Sequence, residues 1–245
     1  AGLNELEDRH RQLKALGAPV SLLDAGETAR RTGSSRFHGA LHDARAGTIQ
    51  PLAYCRGLAR AATGHGAKLF EASPARQVTH KDGQWQVETR HGSITAKKLL
   101  LATNGYFTPV DGLTAAPYVP VHYFQVATVP LKAEVLARLL PGQEGCWDTA
   151  TVMSSFRRDA AGRLLIGGMG SLEHAGAAIH QDWAARKLAK LFPALAGTAL
   201  EHAWSGRIAM TADHVPKILR LGPGAYSIFG YSGRGIGPGT CFGTA

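Results

Sequence analysis

The sequence predicts an α/β fold whose two ends flank a mostly antiparallel, sheet-based domain at residues 118–210. Three observations predict it. Asp82-Gly83 joins two alternating segments, 77–80 and 85–90, with the residue pair that tight hairpins favour. From Tyr118 the texture changes to a long alternating strand at 119–130, followed by strands at 151–156 and 163–167 across the short loop Arg158-Asp159-Ala160-Ala161-Gly162. Near the carboxyl end, the apolar strand 226–229 runs straight into a loop dense in glycine, Gly230-Tyr231-Ser232-Gly233-Arg234-Gly235-Ile236-Gly237-Pro238-Gly239.

Taken in order, residues 4–16 read as a helix, with Leu6, Leu13 and Leu16 on one stripe and Gly17 at its C-cap. Residues 21–23 are extended, and Asp24 is placed to cap a helix through 29–31. Such a helix-and-arm opening is typical of an insertion. A glycine-punctuated stretch, 37–51, leads to a helix over 52–63 that starts behind Pro51. Its apolar side, Leu52, Cys55, Leu58, Ala59 and Ala62, is expected to face inward. Residues 68–71 read as a strand, followed by the meander 77–80, 85–90 and 93–97 and the buried strand 99–102. In the later domain, 133–140 and 182–192 read as helices, and 201–209 and 217–221 as strands. Phe242-Gly243-Thr244-Ala245 is expected to begin a helix. These features divide the chain at 1–117, 118–210 and 211–245.

Hydrophobic residues make up 44% and charged residues 18% of the 245 residues, an ordinary globular balance. No apolar run is long enough to cross a bilayer, so no membrane partner is expected. The three cysteines, Cys55, Cys146 and Cys241, form neither a CxxC pair nor a zinc-ligand spacing. No metal is expected, and buried free thiols in a reducing cytoplasm are the simplest reading. The formal charge of +9 favours anionic partners. The basic residues are scattered and not interleaved with aromatics, which argues against nucleic acid.

A strand, a glycine loop and a helix start let a cofactor approach bare backbone N–H groups at a positive helix end. The same glycines also suit a plain chain reversal. Four segments, in order, resemble the D-amino-acid-oxidase-like family of FAD-dependent oxidoreductases, in particular its bacterial amine-oxidising members. They are residues 39–51; Gly66-Ala67-Lys68-Leu69-Phe70-Glu71 through Val78, with Val87-Glu88-Thr89, Gly92 and 99–105; Trp204-Ser205-Gly206-Arg207 with Thr211-Ala212-Asp213 and Pro216; and Gly230-Tyr231-Ser232-Gly233-Arg234-Gly235.

The resemblance implies FAD-binding, Rossmann-like segments at both ends of the chain and a substrate domain between them. It places the backbone at Ala75 against the adenine, and Thr103, Asn104 and Gly105 over the phosphate-ribose part of FAD at a strand end. It runs Gly233, Arg234, Gly235, Ile236 and Gly237 beside the isoalloxazine, where N–H groups stabilise charge on the reduced ring. The family opens with a GxGxxG segment, and nothing before Phe37 fits that pattern. The chain also stops where the family's last helix runs on, so an internal fragment is expected.

Three departures from relatives bear on chemistry. Gly206 stands where some relatives carry a flavin-linking cysteine, which implies noncovalent FAD. Gly237 replaces a lysine that holds the substrate carboxylate in sarcosine-oxidising relatives, which suits a polyamine-type substrate without an adjacent carboxylate. Ile166 aligns with a lysine that promotes reaction with oxygen, so oxygen and another electron acceptor both stay open.

Other side chains carry two readings each. Tyr123 and Trp204 either wall a substrate pocket or pack in a core. Arg207 either holds an acidic substrate end or pairs with Asp213, and Tyr231 is placed by its loop to meet substrate. His38, His42 and His122 are proton-transfer candidates or ordinary structural histidines. The implied reaction is hydride transfer from the carbon beside a neutral amine, of polyamine or gamma-glutamylputrescine type, giving an imine that water hydrolyses. Two other functions fit the same residues: an FAD enzyme of tRNA wobble-uridine modification, and a non-catalytic scaffold built on a flavin fold.

Overall fold

The computed structural model describes residues 2–114 and 116–244. Six α-helices and thirteen strands are present among them: α1 Gly2–Ala15, β1 Val20–Asp24, α2 Ala25–Thr32, β2 Gly39–Asp43, α3 Pro51–Gly64, β3 Gln77–Lys81, β4 Gln84–Thr89, β5 Gly92–Ala96, β6 Leu99–Leu101, β7 Val119–Thr128, α4 Ala133–Leu136, β8 Cys146–Trp147, β9 Ser154–Arg158, β10 Leu164–Met169, α5 Gly176–Leu191, β11 Leu200–Met210, β12 Lys217–Gly222, β13 Ala225–Phe229 and α6 Ile236–Thr244. The α/β class is as the sequence predicts.

The described residues form two compact units. Unit 1 joins the chain up to Cys55 with Tyr123–Gly206, and unit 2 joins Arg56–His122 with the chain from Arg207. The opening segment therefore packs with 123–206, not with the 56–117 that it was grouped with in the sequence reading. It finds its own sheet partner. β1 pairs antiparallel with β2, Val20 opposite Asp43 and Asp24 opposite Gly39, so part of the 37–51 stretch is strand. Asp24 caps α2 as expected, its Oδ1 accepting from Glu27 N at 2.7 Å.

Unit 1 is built around the sheet order β11-β7-β10-β9-β8. Alternation sends Phe124 and Val126 of β7, Phe156 of β9 and Leu164 and Ile166 of β10 to one face, where Ala184, Leu188 and Leu191 of α5 cover them. Burial of each large side chain contributes about 1.5–3 kcal/mol. A second anchor is Asp148, which accepts from Ser154 Oγ at 2.6 Å, Ser154 N at 2.9 Å and Lys187 Nζ at 2.8 Å. Burial pushes its pKa up, but the Lys187 and Ser154 hydrogen bonds outweigh that and leave it lowered. A depressed carboxyl pKa gives stability that is present above the unfolded value and lost as pH falls through the folded one. Stability is therefore expected to decline below about pH 4. In Asp148→Asn, acid titration of the unfolding midpoint should give a flatter curve.

Unit 2 holds two three-stranded sheets, β3-β4-β5 and β12-β13-β6. The first is the expected meander. Asp82 and Gly83 both take positive φ, 52° and 75°, the type I′ pattern. Its Trp85 packs with Val78 and Ala225, and Trp85 Nε1 donates to Pro223 O at 2.8 Å. In the second sheet β13 runs parallel to β6, Tyr226 opposite Leu100, and antiparallel to β12.

Three expectations fail in informative places. Residues 68–71 form no strand, and Leu69 and Phe70 stay 56% and 64% exposed. An extended segment is a strand only when its N–H and C=O groups find a neighbour, and none of the described strands pairs with it. Helix α3 forms, but Leu52 and Leu58 are exposed instead of facing inward, since it has no buried residue. Cys55 and Cys241 are exposed, against the expectation of buried thiols; only Cys146 is largely covered, and burial, then Glu144, pushes its thiol up to about 12. Among the described residues no helix is long and apolar enough to cross a membrane, and no group of metal-ligating side chains is found.

Candidate functional site

The parallel pair β6 and β13 ends on one side of its sheet, and both strands leave it into tight polar structure. After β6 the chain turns through a 3-10 helix at Asn104–Tyr106. After β13 it enters the glycine loop, which passes directly into α6 at Ile236. This helix starts six residues before Phe242, where the sequence reading placed it, because Gly239 N already donates to Gly235 O at 2.8 Å.

Two side chains of the 3-10 turn tie the neighbouring segments together. Asn104 Oδ1 accepts from Gly230 N at 3.0 Å, linking the turn to the first residue of the loop. Asn104 sits at φ 45°, a conformation asparagine tolerates better than most residues. Tyr106 Oη accepts from Arg207 N at 2.9 Å, and the Arg207 guanidinium lies 4.9 Å from the centre of the Tyr106 ring. Between them Gly105 is buried. A Cβ there would lie 2.9 Å from Arg207 O, so only glycine lets β11 come this close.

The glycine loop is fixed from within. Ser232 N donates to Ala209 O at 3.2 Å, Ser232 Oγ donates to Gly230 O at 3.1 Å, and Thr211 N donates to Ser232 Oγ at 3.3 Å. Gly230 is buried at φ 78°, and a Cβ would lie 2.5 Å from Thr211 Cγ2. Arg234 N closes a turn on Tyr231 O at 2.9 Å. Tyr231 is half-buried, its ring centre 6.4 Å from that of Phe242, and burial raises its hydroxyl pKa. At the start of α6 the N–H groups of Ile236 and Gly237 have no acceptor among the described residues, and Pro238 has none to offer. Nothing lies within 4 Å of a Cβ built at Gly237. This is an open, positively polarised backbone edge.

The sequence-derived residues thus fall into two places. Unit 2 brings together Thr103, Asn104, Gly105, Arg207, Tyr231 and 233–237. Ala75 lies in the same unit, half-buried in the loop before β3. Tyr123 and Trp204 belong to unit 1. Tyr123 is half-buried, burial raises its pKa, and its hydroxyl donates to Ser155 Oγ at 2.9 Å; Trp204 is 44% exposed. Of the two readings of Arg207, the pairing with Asp213 is not observed. Asp213 is held by Lys217 and by Val215 N, and the Lys217 hydrogen bond first, then Val215, lowers its carboxyl to about 2. Ile166 is wholly buried in the hydrophobic core of unit 1. His38 lines a cleft of about 100 Å³ in unit 1 beside Glu7 and Leu22, while His122 lies in unit 2 on β7.

Sequence reasoning did not single out Tyr106, and it named Gly230 and Ser232 only as members of the glycine loop, without a role of their own. Ser232 was legible in principle: a hydroxyl residue between glycines at a strand end commonly bonds its own loop. Tyr106 was not, because its partners lie about a hundred positions away.

A parallel strand pair whose carboxyl ends carry a polar turn and a glycine loop opening a helix defines an α/β protein built to hold a nucleotide-type cofactor. The chain belongs to the DAO family of FAD-dependent oxidoreductases, whose model, "FAD dependent oxidoreductase", matches residues 1–245. It is 35% identical over 217 residues to the "Probable oxidoreductase OrdL" of Rhizobium meliloti (strain 1021), covering 89% of this chain and 50% of that one. It is 30% identical over 218 residues to the gamma-glutamylputrescine oxidoreductase of Escherichia coli (strain K12), covering 89% of this chain and 51% of that one. The chain therefore spans about half the length of these relatives. Among solved structures it resembles an L-proline dehydrogenase from P. horikoshii, with a TM-score of 0.79 at 20% identity, covering 95% of this chain and 65% of that one. At that identity the likeness speaks for the fold alone.

Proposed function

We propose that this chain supplies the flavin-facing and substrate-binding parts of an enzyme that oxidises the C–N bond of an amine to an imine. The observation that carries the reading is the Asn104–Gly230 hydrogen bond, which locks the turn after β6 to the glycine loop and aims the start of α6. The residues present suit FAD. Gly237 leaves its backbone bare, with nothing within 4 Å of a Cβ built there, and Gly233 has only Ile208 Cδ1 at 3.7 Å, whereas Gly235 packs against Tyr231; the N–H groups of Ile236 and Gly237 have no acceptor among the described residues. In this reading Gly233, Arg234, Gly235, Ile236 and Gly237 line the flavin ring. Thr103, Asn104 and Gly105 hold the phosphate-ribose part, and Ala75 meets the adenine. When bound, FAD would supply the electron-accepting chemistry for oxidation of the C–N bond.

The remaining work is done by the chain. The positive end of α6 and its free N–H groups stabilise negative charge arriving beside them. Arg207, held over Tyr106, presents a fixed cation. Unit 2 takes the flavin in this assignment, and the sheet of unit 1, with Tyr123 and Trp204, takes the substrate. Gly206, lacking a nucleophile, supports noncovalent attachment. The name of the Escherichia coli relative supports an amine of the gamma-glutamylputrescine or polyamine type. Anaerobic mixing of the flavin-loaded protein with a panel of diamines, acylated diamines and α-amino acids tests this. The flavin absorbance should bleach with the first two classes. Bleaching by α-amino acids alone would refute the substrate class.

A further inference from the structure

In unit 1 the sheet face opposite α5 carries a second set of aligned side chains. Phe124, Ile166 and Phe156 point toward α5, so the residues alternating with them face the other way. Gln125, Gly167 and Ser155 stand side by side across β7, β10 and β9, and Trp147 of β8 pairs with Ser155. A Cβ on Gly167 would lie 2.6 Å from the Gln125 carboxamide carbon. Without it, Gln125 reaches over β10 and donates from Nε2 to Ser155 Oγ at 3.2 Å. Tyr123 donates to the same oxygen at 2.9 Å.

A serine hydroxyl has two lone pairs and one proton. Tyr123 and Gln125 occupy both lone pairs, which leaves the Ser155 O–H to donate, with no acceptor for it among the described residues. Two positions along β9, on the same face, stands Arg157. Its guanidinium has no hydrogen bond or ion pair among the described residues, and burial shifts its pKa downward. Asp159, the carboxylate that acts on it, is held by Arg163 and by the N–H groups of Ala161 and Arg163.

The face therefore offers a cation and a neutral donor, about 7 Å apart along the strand, both partly removed from water. Partly desolvated donors without acceptors are costly, and a carboxylate satisfies both kinds, binding guanidinium through two parallel hydrogen bonds. A phosphate site would gather several cations or a helix start. Here Arg157 is joined instead by apolar side chains on the same face, the buried Leu165 and Ala127 directly across β10 and β7, with Trp147, 56% exposed, opposite Ser155. These suit an aliphatic chain.

We propose that Arg157 and Ser155 form a carboxylate-binding site on this face. Resting on the amine-oxidising reading above, the carboxylate is the acidic end of an aliphatic amine substrate. The site separates acid-bearing amines from plain polyamines.

The test titrates 5-aminopentanoate and 5-aminopentan-1-ol, which differ only in the carboxylate, into the 245-residue chain, followed by NMR chemical shifts. The wild-type chain should bind the acid at least about tenfold more tightly, as a charge-assisted pair implies. Arg157→Gln should erase that preference, Arg157→Lys should keep part of it, and Ser155→Ala should reduce it several-fold. Equal binding of the two ligands by the wild-type chain, or a preference that survives Arg157→Gln, overturns the site. The amine-oxidising reading is tested separately by flavin bleaching. Bleaching with no carboxylate preference refutes this site alone, and a carboxylate preference without bleaching refutes the enzyme reading alone.

Discussion

Gly230→Ala is expected to destabilise unit 2 by about 2–5 kcal/mol, read as a fall in the urea midpoint at unchanged slope. Two costs add. A left-handed backbone costs an L-residue about 1–2 kcal/mol, and Gly230 sits at φ 78°. The new methyl also meets Thr211 Cγ2 at 2.5 Å. Thr211 has little room to yield, since it is buried and its hydroxyl donates to Val215 O at 3.3 Å. Overpacking of this kind costs about 1–3 kcal/mol. Gly237→Ala is the informative control. No contact lies within 4 Å there, so stability should hold or rise slightly, while flavin affinity falls if the ring lies against this backbone.

Asn104→Leu should cost about 1–3 kcal/mol, because the buried Gly230 N–H loses its acceptor and nothing replaces it. Leucine also tolerates φ 45° less well than asparagine. Asn104→Asp keeps an acceptor oxygen and should preserve most of the stability. The pair of variants thus separates the hydrogen bond from the backbone conformation. Protection of the Gly230 amide against hydrogen exchange reads the same bond directly. It should collapse in Asn104→Leu and persist in Asn104→Asp.

Local chemistry made much of this architecture readable in advance. Asp82-Gly83 gave its hairpin because both residues accept positive φ, and Asp24 capped its helix because a short carboxylate reaches the N–H three residues on. The strand, glycine loop and helix order near the carboxyl end was equally legible. What failed depended on partners far along the chain. Residues 68–71 have strand composition but no described neighbour to pair with, and the apolar side of α3 has no described element over it. The opening helix and arm read as an insertion with no strand of their own. Their partner, β2, lay in a glycine-rich stretch whose composition hid it. Arg157 was invisible for another reason. An arginine in an alternating strand is unremarkable until the neighbours that decline to pair with it are known.

We propose that the turn at 103–105 and the loop at 230–237 hold FAD. The most direct measurement is the visible spectrum of the chain after mixing with FAD and gel filtration. It is recorded for the chain alone and for a form carrying a relative's GxGxxG-bearing segment ahead of Ala1. A flavin spectrum that elutes with the longer form, and is lost in its Asn104→Leu variant while Asn104→Asp retains it, is the predicted result. No bound flavin in either form, or flavin that binds the Asn104→Leu variant as tightly as the unaltered protein, would contradict it.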